Sequence, residues 1–488
     1  MHKPRLLVLA AAPIVCVLTA SQVLAYTLGA GPLVVVSGPS PFAGCKVGGT
    51  ASSTLYPEAE VEPFVAVNPT DPNNVIGVFQ QDRWSDGGSR GLVAARSGNG
   101  GTTWTRNFAA FSTCSGNPAI NSYERASDPW VTFDTAGNAY QISLSVSGDQ
   151  VISSVLVARS GDGGATWSSP TTLLRDPDPL HFNDKESITG DPTRPGYVYA
   201  VWDRGTFPSD QRNTRSFIGS HAYRGQPMLS RTTDGGESWS APVGMANQNI
   251  FTIGNQIVVL PDGTLVDIFQ KFQGSGVQPS PQLATESVML SNDAGLTWSQ
   301  PIDIALWFPE AVRDPDTGHA VRTGNGLPDI AVDSSTGTIY AVWEDGQFST
   351  DGHADVALSK SVDGGRKWSQ PTKVNLSPAG VQAFTPTVAV SADGTVGVTY
   401  YDFRNNTAAA GVPTDAWFVH SHDGGSTWAE QHVAGSFDIE TAPVARGYFL
   451  GDYEGLATAG NDFLTVFVMT NSGNFANRTD VFSVRLSK

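Results

Sequence analysis

The sequence predicts an all-β chain built as a single β-propeller of four-stranded antiparallel blades, and three observations predict it. One eight-residue phrase recurs six times, pairs of alternating strands precede each copy, and the composition suits short strands joined by tight turns. Gly stands at 52 and Pro at 31 of 488 residues, while aromatics at 10% supply enough apolar surface to keep the chain out of the disordered class. Charged residues make up only 15%, with a formal net charge of -17, which excludes a nucleic-acid binder working by phosphate neutralisation. Beyond the N-terminus no apolar run is long enough to span a bilayer.

The phrase reads Ser-Gly-Asn-Gly-Gly-Thr-Thr-Trp at 97–104 and returns at Ser160–Trp167, Thr232–Trp239, Ser291–Trp298, Ser361–Trp368 and Ser421–Trp428. Start-to-start spacings of 63, 72, 59, 70 and 60 residues match a four-stranded blade with its loops. The phrase reads as a folding device. Asp-Gly-Gly supplies left-handed backbone positions and a side-chain acceptor for turn amides, and the Trp packs between sheets. Upstream of each copy lie two further strands, such as Pro63–Val67 with Val75–Phe79 and Asp329–Val332 with Ile339–Trp343. A last unit, from Tyr453 to Leu486, has three strands and no phrase. Pro32–Val36 is the available fourth strand, and its insertion would remove a free sheet edge. The expectation is seven blades, with six as the alternative.

Residues 1–25 read as a secretion signal: Lys3 and Arg5 precede an apolar stretch, and small residues lead to a cleavage point near Tyr26. Residues 26–57 then form the segment supplying the closing strand, and 58–488 the propeller. The expected location is extracellular, with no membrane attachment once the signal is removed. Cys16 leaves with the signal, and Cys45 and Cys114 most simply form one disulfide.

In a propeller, the loops entering each first strand and those joining second to third strands share one face around the axis. That rule gathers Glu62, Asp128, Asp184, Lys185, Glu186, Asp452 and Tyr453 with Arg83, Asp86, Asp203, Arg204, Glu344, Asp402 and Arg404. Paired carboxyls with arginines to hold polar substrate groups are the kit for cleaving a glycosidic bond. No EF-hand loop occurs and no cofactor is expected, although the acidic loops have the ligand chemistry for a structural Ca²⁺.

With these phrases the chain, over roughly residues 58–488, resembles the Asp-box, or bacterial neuraminidase repeat, superfamily of secreted sialidase-like propellers. The resemblance implies a hydrolase acting on glycans, in which an arginine triad grips the substrate carboxylate, an Asp acts as acid/base and a Tyr polarised by a carboxylate is the nucleophile. It points to Asp86, following Arg83, as acid/base, and to Tyr453 in Gly451-Asp-Tyr-Glu-Gly-Leu456 as nucleophile. Glu186 and Asp452 are the carboxylates available to set up Tyr453 or to act as a plain acid/base pair. Arg83, Arg204, Arg404, Asp128, Lys185, Asp402 and Glu62 complete the candidate substrate-binding set. The chain departs from the family pattern in its arginines. Glu62-Pro-Phe-Val-Ala66 contains none where the family carries one, and only Arg404 matches a triad position. A non-catalytic glycan-binding propeller is the alternative function.

Overall fold

The computed structural model describes residues 28–116, 123–206, 224–246, 250–272, 284–350 and 352–488. The signal-peptide reading lies outside them. The described chain is all-β, with two three-residue 3₁₀ turns as its only helical pieces among the described residues. Strands alternate with turns because the apolar period is two and Gly, Asn and Asp punctuate it.

Six antiparallel four-stranded units follow one another. Their first strands are Leu55–Asn68, Arg125–Phe133, His181–Gly190, Phe251–Val259, Asp329–Val332 and Ala383–Val390. A seventh set pairs Gly455–Ala459, Asp462–Thr470 and Thr479–Ser487. Gly29–Ala30 and Val34–Val35 add to the free side of Thr479–Ser487, in antiparallel register. Among the described residues no hydrogen-bonded sheet closes on itself. The closure is one of packing: each first strand lies against the first strand of the next unit, and Gly455–Ala459 lies against Leu55–Asn68. All seven of these strands line one internal hollow of about 240 Å³, with Val65, Val131, Ile188, Ile257, Ile330, Val388 and Leu456 on its walls.

The six phrases fold alike. In each, the opening Ser or Thr hydroxyl accepts from the amide four residues on, at 2.8–2.9 Å. The third residue's side chain accepts from the amide of the seventh, at 2.8–3.0 Å. Asn99 makes the same bond as the five aspartates. Ala294 holds the left-handed conformation its glycine equivalents adopt, with φ 58°. The tryptophans then reach into the neighbouring unit: Trp104 Nε1 donates to Ser483 Oγ at 3.2 Å, and Trp167 Nε1 to Asn107 Oδ1 at 3.0 Å. These turns are therefore structural. Between units lie separate apolar clusters, in which Trp202 and Trp343 are fully buried. Cys45 and Cys114 are bonded, tying the N-terminal segment to the connection after the first unit.

Candidate active site

One local device builds the site in unit after unit. Near the start of the first strand the register slips between Val61 and Phe64, Ser127 and Trp130, Asp184 and Ser187, Ile253 and Gln256, and Phe384 and Thr387. Each slip is a bulge, and each contains a left-handed residue: Glu62 (φ 53°), Asp128 (48°), Lys185 (50°), Gly254 (77°) and Thr385 (52°). The bulge turns these positions toward the axis, where the alternation of a regular strand would not carry them.

Lys185 Nζ is the hub. It donates to Asp452 Oδ2 at 2.7 Å, to Asp128 Oδ1 at 2.9 Å and to Glu62 Oε1 at 3.4 Å. Its ammonium also lies 5.4 Å from the centroid of the Tyr453 ring. Burial works against the Lys185 charge, but Asp128, Asp452 and Glu62 together push its pKa well up. Arg322 grips both oxygens of Asp452 through Nε at 2.9 Å and through Nη2. Burial alone would raise Asp452, yet Arg322 and Lys185 overrule it and hold this carboxyl well below the usual range. Glu62 goes the other way. Burial, Asp128 and Asp452 lift it against the pull of Lys185, to about 7. Two carboxyls touching one ammonium thus have opposed protonation preferences, the pattern that separates an acid from a base.

Around this hub the supports are specific. Gln80 bridges, donating to Glu62 and to Ser127 Oγ and accepting from Arg83 Nη1 at 2.6 Å. Arg83 and Arg322 lie over the ring of Phe449, 4.8 and 4.4 Å from its centroid. Trp130 stacks on Phe64 and leans on Tyr453, whose hydroxyl donates to the Pro129 carbonyl at 3.4 Å. Glu344 accepts from Thr323 Oγ1 at 3.0 Å, and burial pushes its carboxyl up to about 8. Glu186 is buried, and neither of its oxygens makes a hydrogen bond. The amides of Leu144 and Glu186 itself lie close enough to favour its charged form but not at bonding geometry, so burial dominates and the carboxyl is raised well above the usual range.

The structure brings together Glu62, Asp128, Lys185, Asp452 and Tyr453, with Glu186 on the wall of the same recess and Arg83 one residue behind Glu62. It engages the other candidates elsewhere. Asp86 accepts from Arg125 Nη1 at 2.8 Å and Ser53 Oγ at 2.7 Å; burial would raise it, but these partners keep it below the ordinary carboxylate range, the wrong direction for an acid catalyst. Arg204 is held by both oxygens of Asp176. Arg404 lies over Trp417 and bonds Asp402 and Glu430, while Asp402 also takes Ser377 Oγ and Trp417 Nε1. Arg322 was missed by sequence reasoning. It stands seven residues ahead of Asp329, beyond a glycine-rich loop, and is delivered by a short parallel pairing of Val321–Arg322 with Tyr448–Phe449. An arginine ahead of Thr323-Gly-Asn-Gly326 was the available signal. Among the described residues no group of three or more His, Cys, Asp or Glu side chains is arranged to hold a metal ion.

No protein-family model matches the chain. A curated sialidase of Bacteroides fragilis (strain YCH46) is 23% identical over 302 residues, 57% of this chain and 48% of that protein. The chain thus spans about half the length of the curated relative it matches. Among solved structures, the NanB sialidase of Streptococcus pneumoniae aligns over 94% of this chain and 98% of its own at 10% identity, with a TM-score of 0.48. A mutant α-L-arabinofuranosidase of Fusarium graminearum aligns over 94% and 98% at 13% identity, TM-score 0.48. A Hadza microbial sialidase aligns over 86% and 74% at 13% identity, TM-score 0.48.

Proposed function

We propose that this chain is a secreted, sialidase-like glycoside hydrolase acting on extracellular glycans, carried on a seven-bladed propeller that its N-terminal strand closes. One observation carries the reading: Glu62 and Asp452 meet a single ammonium, one poised to hold a proton near neutrality and the other held ionised. In this role Glu62 gives its proton to the leaving glycosidic oxygen as the anomeric C–O bond breaks. Asp452 and Asp128 stabilise the positive charge that develops on the sugar, and Tyr453 forms the wall beneath it. Water then adds to the anomeric carbon and returns a proton to Glu62. Both carboxyls touch Lys185, at 3.4 and 2.7 Å, so the contacting oxygens lie within about 6 Å of each other, short of the ~6.5–9.5 Å that leaves room for a water on the opposite face in single displacement. The Cys45–Cys114 bond fits an oxidising compartment, and the sialidase relative fits the reaction class.

A second reading, a non-catalytic glycan-binding propeller, has one observation in its favour. Lys185 and Arg322 are already engaged by protein carboxylates, and the Tyr453 hydroxyl faces a backbone carbonyl. Hydrolysis of a panel of aryl glycosides, a sialoside included, separates the two. The hydrolase reading expects turnover that falls at least about a hundredfold in Glu62→Gln and Asp452→Asn. Glycan binding without turnover of any panel member establishes the second.

A further inference from the structure

The two oxygens of Glu62 are held unequally. Gln80 lies in the strand Asp71–Trp84, fully buried, opposite Val61, the last paired residue before the bulge that turns Glu62 inward. Every polar atom of its amide is committed. Oε1 accepts from Arg83 Nη1 at 2.6 Å, while Nε2 donates to Ser127 Oγ at 3.1 Å and to Glu62 Oε2. The amide cannot turn over, because its NH₂ would then face the Arg83 guanidinium, which carries only donors. Gln80 therefore presents a fixed N–H to Glu62 Oε2. In a protonated carboxyl the carbonyl oxygen is the better acceptor, so the oxygen that receives the N–H stays carbonyl and the proton goes to the other. That other is Oε1, whose contact with Lys185 Nζ is long, at 3.4 Å.

The geometry points to Gln80 as a positioning residue that fixes the Glu62 proton on Oε1, the oxygen turned toward Lys185, and keeps it off Oε2. The inference rests on the reading of Glu62 as the acid of a glycoside hydrolase and deepens it, by naming the residue that decides which oxygen releases the proton. The other charged groups facing Glu62 do not make this choice. Lys185 and Arg83 favour its ionised form and Asp128 and Asp452 its protonated form, and all four act on the carboxyl as a whole. Among the described residues the hydrogen bond to Oε2 comes from Gln80. Ser127, from the first strand of the second unit, and Arg83, three residues along the Gln80 strand, hold the amide from both ends.

The test changes the amide and follows the proton. In Gln80→Glu one carboxylate oxygen keeps Arg83 and the other replaces the N–H, so it meets Glu62 Oε2 acceptor to acceptor. The two carboxyls then coexist by sharing one proton between them, which withdraws it from Oε1. On the aryl glycoside the wild type cleaves best, kcat is expected to fall at least about a hundredfold with KM within about threefold, and the alkaline limb to move up by at least about one pH unit. Gln80→Met removes the amide at nearly constant size and leaves Oε2 open, so the proton occupies either oxygen; kcat is expected to fall about tenfold, with a smaller upward move of the limb. A merely structural Gln80 predicts the opposite order, since Gln80→Glu keeps the Arg83 bond and Gln80→Met loses it, and thermal midpoints read that loss separately. A second readout needs no substrate. The infrared band of the protonated Glu62 carboxyl, identified by its absence in Glu62→Gln, is followed from pH 5 to 10. It is expected to fade through about 7 in the wild type and at least about one pH unit higher in Gln80→Glu. An unmoved limb and band in Gln80→Glu, or a greater loss of kcat in Gln80→Met, overturns the inference and leaves the hydrolase reading intact. Where Gln80→Glu does not fold, Gln80→Met decides alone: a raised band sustains the inference and an unmoved one overturns it. A band that moves as stated in a protein that cleaves no glycoside sustains the proton placement and removes the hydrolase reading.

Discussion

Replacing Lys185 by Met keeps the stem and removes the ammonium, leaving Glu62, Asp128 and Asp452 facing one another in a space where the Lys185 side chain is only 10% exposed. Removing one member of such a buried ionic cluster costs about 3–5 kcal/mol, because the remaining charges lose their partner. For a chain of 488 residues the unfolding entropy is on the order of 1 kcal/mol per degree, so the thermal midpoint at pH 8 should fall by about 3–5 °C. The loss has a pH signature. In the wild type Arg322 and Lys185 keep Asp452 ionised to well below its ordinary range, while Glu62 titrates at about 7 against an ordinary 4.5. In the variant these carboxyls gain protons in the folded state at higher pH than in the unfolded chain, so its stability relative to wild type rises as pH falls from 8 to 5. One extra bound proton changes stability by about 1.4 kcal/mol per pH unit, which should recover about 2 kcal/mol by pH 5. Scanning fluorimetry of both proteins at pH 5, 6.5 and 8 reads the effect. Equal losses at pH 5 and pH 8, or none at pH 8, would refute the argument that the ammonium holds these carboxyls together.

The pH dependence of turnover follows from the same pair. Glu62 must carry its proton, so kcat/KM should fall as pH rises through about 7, with no acid limb until well below the ordinary carboxylate range; an alkaline limb displaced beyond pH 9 would show that another group is the acid. Asp86→Asn should leave turnover within about threefold of wild type, since its contacts are Arg125 and Ser53; a loss of a hundredfold would return Asp86 to the reaction. The Cys45–Cys114 bond closes a separation of 69 residues, worth about 4 kcal/mol by chain entropy, so reduction or paired Ser substitution should lower the thermal midpoint by about 4 °C with the pH profile unchanged. Glu62→Gly should be more stable than Glu62→Ala by about 1 kcal/mol, because the position is left-handed, and both should lose turnover.

The strands and turns were legible because their signals are local. An Asp-Gly-Gly turn closed by a Ser hydroxyl and an Asp carboxylate needs only eight consecutive residues, and all six copies fold by the same bonds. The axial residues Glu62, Asp128, Lys185, Asp452 and Tyr453 were legible as a group for a related reason: each stands where a first strand begins, and topology alone sends those ends to one place. Individual roles were not legible. Asp86 follows Arg83 in a pattern that suggests chemistry, but Arg125, arriving from the next unit, ties it up. Arg322 enters through a pairing with Tyr448–Phe449, more than a hundred residues away in sequence. Nothing in either neighbourhood announces such partners, because both depend on how units pack rather than on spacing along the chain. The sign of the Glu62 shift is equally non-local, set by burial and by carboxyls from the second and seventh units.

The left-handed slots at the strand starts separate architecture from chemistry. A non-glycine residue held there costs on the order of 1 kcal/mol, and glycine removes that cost. Gly254 occupies the slot in the fourth unit, where an added Cβ would meet Leu327 Cδ2 at 2.7 Å. The chain has glycine in abundance, yet the slots of the first three units hold Glu62, Asp128 and Lys185. Had these positions served only to bend the strand, glycine would have met the need at lower energy and with greater stability. The strain is therefore tied to the side chains, and those three are the ones that meet at a single ammonium. A buried ion cluster is itself a poor stabiliser, since desolvation offsets its attraction. Strained backbone carrying a costly cluster, at three equivalent positions where glycine would relieve it, is what a fold shows where the side chains are kept for what they bind.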